Sequence, residues 1–340
     1  MTRVQPVWAR SWCVAGFRDF SANKVTVATV AHLKLDARAG EEGDACIKAG
    51  FVRGGERWVV KVASGWPQNR ANFGTSNSQG AMLVFSQRHG ALEAVLADGG
   101  CLTDLRTVVA AAICVQNFAP VPASGALASV CIVGPGVISA LLCKWLPRLV
   151  DTVSMQRTEL NVLGRSMERA QEFAAVCHAE GWQSVTAATL ADAACFERAD
   201  VVITCTPALQ PVLLRRRQRP SLNGAQLVVA LGADSAGKRE LGPTVFLDTA
   251  SADAASQRPI VIADSRMQCL AFGECASAVS EGLLRPEDVC ELGSTLALDS
   301  SLRPRAGCAV AEGRDIVVDL TGVAVQDVVI ASLVVEAAIC

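Results

Sequence analysis

The segment Ser129-Val-Cys-Ile-Val-Gly-Pro-Gly-Val-Ile-Ser-Ala140 carries a glycine spacing suited to phosphate chemistry. Gly134 and Gly136 let the backbone turn tightly and approach a ligand with no side chain in the way. A helix starting at Val137, directly after Pro135 and Gly136, would present free N–H groups and a partial positive charge, which attract a pyrophosphate. Ser139 stands at the third glycine position of the dinucleotide fingerprint. Glycine also serves such turns for steric reasons alone, so the flanking segments must carry the argument. Further along, Asp234 follows the apolar run Leu227–Leu231 in Gly232-Ala-Asp-Ser-Ala-Gly-Lys-Arg-Glu-Leu241. A carboxylate there could exchange a proton with a substrate, or serve as a turn or N-cap residue. Lys61 lies inside Trp58-Val-Val-Lys-Val-Ala63 and Lys48 inside a neighbouring apolar run. A lysine so placed is costly unless it meets an anion or reaches solvent. Arg106, at the start of a helical pattern, has the fork geometry for a carboxylate; a surface role fits it equally.

The elements that must position these residues fall into three zones. Up to about residue 122 the chain is strand-rich, with strands expected at 45–52, 57–63, 81–86 and 93–96 and a helix at 104–117. Gly54-Gly55 and His89-Gly90 mark hairpin turns, and Pro120, Pro122 and Ala123-Ser-Gly125 read as a linker. The second zone alternates strands at 130–133, 160–163, 201–205, 227–231 and 260–263 with helices at 137–146, 167–180, 187–197 and 269–282. Pro147 is expected to end the first of these helices. Such alternation implies a doubly wound parallel sheet of Rossmann type. The third zone holds a strand at 315–320 and an apolar tail helix expected to return to the first domain. The division is therefore 1–122 with 315–340, and 123–314 for the dinucleotide-binding domain. The second strand of the alternating zone ends at Gly164-Arg165-Ser166 with no carboxylate beside it. Arg165 with Ser166 suits the 2′-phosphate of NADP better than the ribose hydroxyl of NAD, although Arg165 could also simply cover the helix after it.

The bulk composition excludes several classes. A net charge of −2 offers no general attraction to nucleic acid or anionic membrane, and the short arginine patch Leu214–Arg219 reads as a solvated loop. No apolar stretch approaches bilayer length, and the N-terminus lacks a secretory core. The 14 cysteines include no C-x-x-C, which suits a reducing, cytoplasmic setting better than a disulfide scaffold or a zinc site. With no tyrosine and only His32, His89 and His178, proton transfer would fall to Lys, Asp or Glu.

Several ordered segments together resemble the ornithine cyclodeaminase/μ-crystallin family. They are Val60-Lys-Val-Ala-Ser-Gly-Trp-Pro67, Leu102-Thr-Asp-Leu-Arg-Thr107, Gly134-Pro-Gly-Val137, Ala199–Pro207 and Gly232–Leu241. Asp264–Gln268 with Gly273-Glu274, and Thr321–Asp327, complete the series. The resemblance implies a Rossmann domain joined to a sheet-rich α+β domain that binds substrate and forms a homodimer. It implies hydride transfer between NAD or NADP and a carbon bearing an amino or imino nitrogen, as in a cyclodeaminase or a ketimine reductase. A non-catalytic, crystallin-like ligand-binding protein is the alternative. By position, Lys61 and Arg106 would hold a substrate carboxylate, with Lys48 nearby, and Asp234 would act on the nitrogen. Gly134, Pro135, Gly136, Val137, Arg165, Ser166, Thr206, Pro207 and Gly232 would line the cofactor. Glu41, Glu42 and Glu56 are candidate acids for an amino group.

Overall fold

The computed structural model describes residues 6–35, 42–120, 125–192, 194–214, 225–247, 258–306 and 314–339. Glu41, residues 122–124 of the expected linker and residues 215–219 of the arginine patch lie outside them. Contacts divide the chain into two compact units, Met1–Thr107 with Val323–Cys340, and Val108–Gly322.

The first unit contains α1 (Pro6–Ser21), β1 (Val25–Val27), β2 (Ala31–Leu35), β3 (Gly43–Val52), β4 (Arg57–Gly65), α2 (Asn69–Phe73), β5 (Ser78–Ser86) and β6 (Leu92–Leu96). α3 (Cys101–Phe118) begins in it, and the tail helix α10 (Ala324–Ile339) completes it. Its sheet is antiparallel, in the order β1-β3-β4-β5-β6 with β2 also on β3. Alternation along β4 buries Val59 and Lys61 and leaves Val62 exposed, as expected when only one face is covered. The covering element is α10, which packs on β3, β4, β5 and α1. Two glycines allow the close approach: a Cβ at Gly50 would come within 3.3 Å of the Ala324 Cβ, and one at Gly16 within 3.0 Å of the Val329 Cγ2.

The second unit contains β7 (Ser129–Val133), α4 (Val137–Leu149), β8 (Glu159–Gly164), α5 (Met167–Glu180), β9 (Val185–Thr189), α6 (Ala194–Glu197), β10 (Val201–Thr204) and β11 (Leu227–Ala230). After these come β12 (Ile260–Ala263), α7 (Arg266–Phe272), α8 (Glu274–Ser280), β13 (Val289–Glu291), α9 (Leu292–Ala297) and β14 (Ile316–Asp319). The strand order is β13-β12-β14-β11-β10-β7-β8-β9, with every pairing parallel. Its first five strands in chain order lie 3-2-1-4-5, so the order reverses between β7 and β10. β7, β10, β11 and β14 are buried along their whole length, which is why they read as unbroken apolar runs.

Several expectations need correction. Residues 185–189 pair with β8 as strand β9, so the helix expected at 187–197 shrinks to α6; alanine favours helix locally, and pairing with β8 overrides that preference. The strand at 315–320 is β14, inserted between β11 and β12. Residues 315–322 belong with the parallel unit instead of the first one, and so do residues 108–120. Helix 269–282 is two helices broken at Gly273, whose Cβ would lie 2.4 Å from Asp319 Oδ2. Pro147 does not end α4, which runs on to Leu149. A proline inside a helix deprives the carbonyl four residues earlier of its partner; here the Trp182 indole N–H takes that carbonyl, Cys143 O, at 2.9 Å. α1, β1, β2 and β13 escaped sequence reading because they are short or weakly patterned. Among the described residues no helix is long and apolar enough to cross a membrane.

Candidate functional site

β7 delivers the chain to Gly134, which has φ +101° and donates its N–H to Leu163 O at 2.9 Å. A side chain is excluded there twice over. The dihedral is left-handed, and a Cβ would sit 2.6 Å from Thr206 Cγ2 and 2.9 Å from Cys205 O. Gly136 differs, because a Cβ on it would meet only Gly134 O, at 3.9 Å. No packing among the described residues demands glycine at 136, so its bareness leaves space for an approaching group. Gly136 is also the N-cap of α4 and offers no side chain to the first-turn N–H groups. An uncapped helix start beside bare backbone suits an anion, and the pyrophosphate of a dinucleotide fits it. Ser139 is fully buried and donates to Gly134 O at 2.5 Å, locking turn to helix.

β8 ends against this turn: a Cβ at Gly164 would come within 3.2 Å of Pro135 Cγ. Arg165 follows, exposed. Ser166 is partly committed as the N-cap of α5, accepting the Arg169 N–H at 3.4 Å. After β10, Thr206 turns its methyl to Gly134 and its hydroxyl to Glu240, at 2.8 Å, while Pro207 is exposed. Gly232, after β11, has no room for a side chain, since a Cβ would lie 2.1 Å from Thr206 O. Asp234, two residues on, is half-exposed and paired with Lys238 at 2.7 Å.

In the first unit, β3–β4 register sets Lys48 directly opposite Lys61, on the face under α10. Both lysines are buried. The Lys61 ammonium donates to Asp327 Oδ1 at 3.0 Å, and Arg106 Nε lies 3.6 Å from the same oxygen. Gln326 braces the arginine, accepting from Arg106 Nη1 at 3.3 Å. Two cations thus share one carboxylate, and Arg106 Nε is left without a hydrogen bond. Burial pushes the Lys61 ammonium down to about 8; Asp327 pulls it up, while Arg106 and Lys48 depress it further. A second anion, such as a substrate carboxylate, would relieve that excess of positive charge.

Of the predicted residues, the structure brings together Lys48, Lys61 and Arg106 in one unit. In the other it brings together Gly134, Pro135, Gly136, Val137, Arg165, Thr206 and Gly232. Glu42 and Glu56 are exposed. Sequence reading missed Asp327 and Glu240. The signal for Asp327 was a Gln-Asp pair interrupting an apolar helix; Glu240 lay unweighed in the segment that carried Asp234. Among the described residues no group of side chains could hold a metal ion.

A parallel sheet in 3-2-1-4-5 order, with a glycine turn at its switch point and an uncapped helix behind, defines a Rossmann-type dinucleotide-binding fold. The chain belongs to the ornithine cyclodeaminase/mu-crystallin family, whose pattern matches residues 15–339. It is similar to an uncharacterized cyclodeaminase, y4tK, of Sinorhizobium fredii, at 29% identity over 88% of this chain and 82% of that protein. It is also similar to the iminosuccinate reductase of Paracoccus denitrificans, at 27% identity over 86% of this chain and 80% of that one. The solved structure of that reductase with NAD+ shares the fold, with a TM-score of 0.75 over 99% of this chain and 93% of the other, at 24% identity. An archaeal alanine dehydrogenase dimer with bound NAD superposes at 0.78, with 22% identity over 99% of this chain and 93% of that chain.

Proposed function

We propose that this chain is an NAD(P)-dependent enzyme of amino- and imino-acid metabolism, acting at a C–N bond either as a ketimine or cyclic imine reductase or as an ornithine cyclodeaminase-like lyase. The observation that carries the reading is the buried pair Lys61 and Arg106, sharing the one carboxylate of Asp327 in a chain whose other unit has a dinucleotide-type glycine turn. Lys61 and Arg106 hold the substrate carboxylate and draw electron density from the adjacent carbon, with Lys48 beside them. Asp234 exchanges a proton with the substrate nitrogen once Lys238 releases it. Gly134, Pro135, Gly136, Val137, Thr206, Pro207 and Gly232 line the cofactor, which supplies or accepts the hydride when bound. Arg165 with Ser166, exposed at the end of β8, favours NADP over NAD.

The reading includes a homodimer. The sheet face opposite α10 aligns Phe51, Trp58 and Phe85 in one cross-strand row and Val60, Leu83 and Val95 in the next. Trp58 and Phe85 stack with ring centroids 4.2 Å apart, and a half-exposed apolar face of this kind suits a second copy. It also includes a cytoplasmic setting, which a sequence with 14 cysteines and no C-x-x-C suits.

The test is loss of reduced-nicotinamide absorbance with NADPH or NADH and a panel of cyclic imino acids. Oxidation of either cofactor by an imine supports the reductase. Ammonia release from ornithine with catalytic NAD supports the lyase. Silence across both assays, with the cofactor still bound, would move the reading to a non-catalytic binding protein.

A further inference from the structure

Glu240 is a fully buried carboxylate at the carboxyl edge of the parallel sheet, and its two oxygens accept four hydrogen bonds there. Oε1 accepts the Thr206 N–H at 2.6 Å and the Thr206 hydroxyl at 2.8 Å. Oε2 accepts the Gly232 N–H at 2.7 Å and the Thr204 hydroxyl at 2.7 Å. The residue is itself clamped. Its N–H donates to Glu274 Oε1 at 2.6 Å, and its carbonyl accepts from Val212 and Leu213 at 2.8 and 2.9 Å. Glu274, at the start of α8, also takes the Leu241 N–H at 3.1 Å. A rigid chain of contacts thus runs from α8 through residues 240–241 to the loops after β10 and β11.

Those loops adjoin the glycine turn. Thr206 presses its methyl against the space that a Gly134 Cβ would need, and the Thr206 carbonyl fills the space that a Gly232 Cβ would need. We infer that Glu240 is a positioning residue: its carboxylate holds the loops after β10 and β11 beside the Gly134 turn and so shapes the seat of the dinucleotide. The inference rests on the cofactor reading above and extends it to a residue that touches neither cofactor nor substrate.

The chemistry specifies a carboxylate, not merely a side chain of that size. Each oxygen receives a backbone N–H, and a backbone N–H cannot reverse its role. Glutamine is nearly isosteric, but its NH2 would face one of those N–H groups. Aspartate is shorter yet keeps two acceptors. A role limited to filling volume ranks Gln above Asp; a role in fixing the two loops ranks Asp above Gln.

The experiment is a fluorescence titration of NADPH and NADH into wild-type protein, Glu240→Gln, Glu240→Asp and Thr206→Val, with circular dichroism to check the fold. Glu240→Gln is expected to lose tenfold or more in cofactor affinity while folded, and Glu240→Asp to lose less. If the Glu240 variants do not fold, Thr206→Val decides: it keeps a methyl beside Gly134, removes one bond to Glu240 and is expected to lose affinity severalfold. Wild-type affinity in folded Glu240→Gln, or in Thr206→Val where that variant decides, overturns the inference. Failure of the wild-type protein to bind either nucleotide overturns the cofactor reading itself, and the inference falls with it.

Discussion

The two units build their polar centres from different materials. In the parallel unit the centre is backbone: bare glycines, an uncapped helix start, and amides held by a buried glutamate. In the antiparallel unit it is side chains: Lys61, Arg106 and Asp327 come from β4, α3 and α10. A backbone centre tolerates little change in shape, because its atoms cannot swing aside. A side-chain centre tolerates shape changes but depends on charge balance, because its ions are out of water.

The contrast predicts the largest effect for Gly134→Ala. It combines a left-handed φ with a Cβ 2.6 Å from Thr206 Cγ2, and it should abolish measurable NAD(P)H binding in a titration. Binding at wild-type strength would refute the backbone account of the parallel unit. Next comes Asp327→Ala, which leaves buried Lys61 and Arg106 without their shared carboxylate. Breaking a buried ion pair from one side costs about 3–5 kcal/mol, to be read by urea unfolding. A loss confined to a few tenths would show that the cluster is hydrated.

The charge-built centre should also respond to pH. With Lys61 down to about 8, its positive charge is lost as pH rises through that value. KM for a carboxylate substrate should then climb about tenfold per pH unit above it, read from pH-dependent kinetics. The groups facing Lys61 are Lys48, Arg106, Asp327 and, through the latter two, Cys13, whose thiol burial pushes up to about 12. A flat KM up to pH 10 would remove Lys61 from substrate binding.

The parallel unit has a pH response of its own. Burial, with the charge of Asp319 beside it, pushes Glu274 up to about 8, and burial, with the charge of Asp264 beside it, pushes Asp319 up to about 7. Both hold protons more tightly folded than unfolded, so stability is fullest below their ordinary carboxylate range and is lost as pH rises toward 8. Melting temperature should therefore fall from pH 5 to pH 8, and Asp319→Asn should flatten the slope. A rising melting temperature over that range would contradict the assignment. The smallest effect is Trp182→Phe, which orphans Cys143 O beside Pro147 and should cost about 1–2 kcal/mol in chemical denaturation.

Legibility followed the same division. The glycine turn, its strand and the start of its helix were readable because the apolar run and the glycine spacing that signal them lie together within residues 129–140. Lys61 and Arg106 were readable as anomalies, a lysine in an apolar strand and an arginine at a helix start. Their shared partner was not, because Asp327 is 266 residues from Lys61 and nothing in α10 says which strand it will cover. The continuation of α4 past Pro147 was unreadable for a similar reason, since the donor that rescues it, Trp182, belongs to another segment.

The sequence by itself determined the class of the parallel unit and its glycine turn, and it marked Lys61 as a lysine out of place in an apolar strand of the first unit. These follow from contiguous apolar runs, glycine spacing and the cost of burying charge. Only the tertiary structure decided that β14 inserts between β11 and β12, that Asp327 closes the cation pair, and that Glu240 braces two loops at once. Those are meetings of distant segments, and packing selects them from many pairings that local pattern leaves equally open.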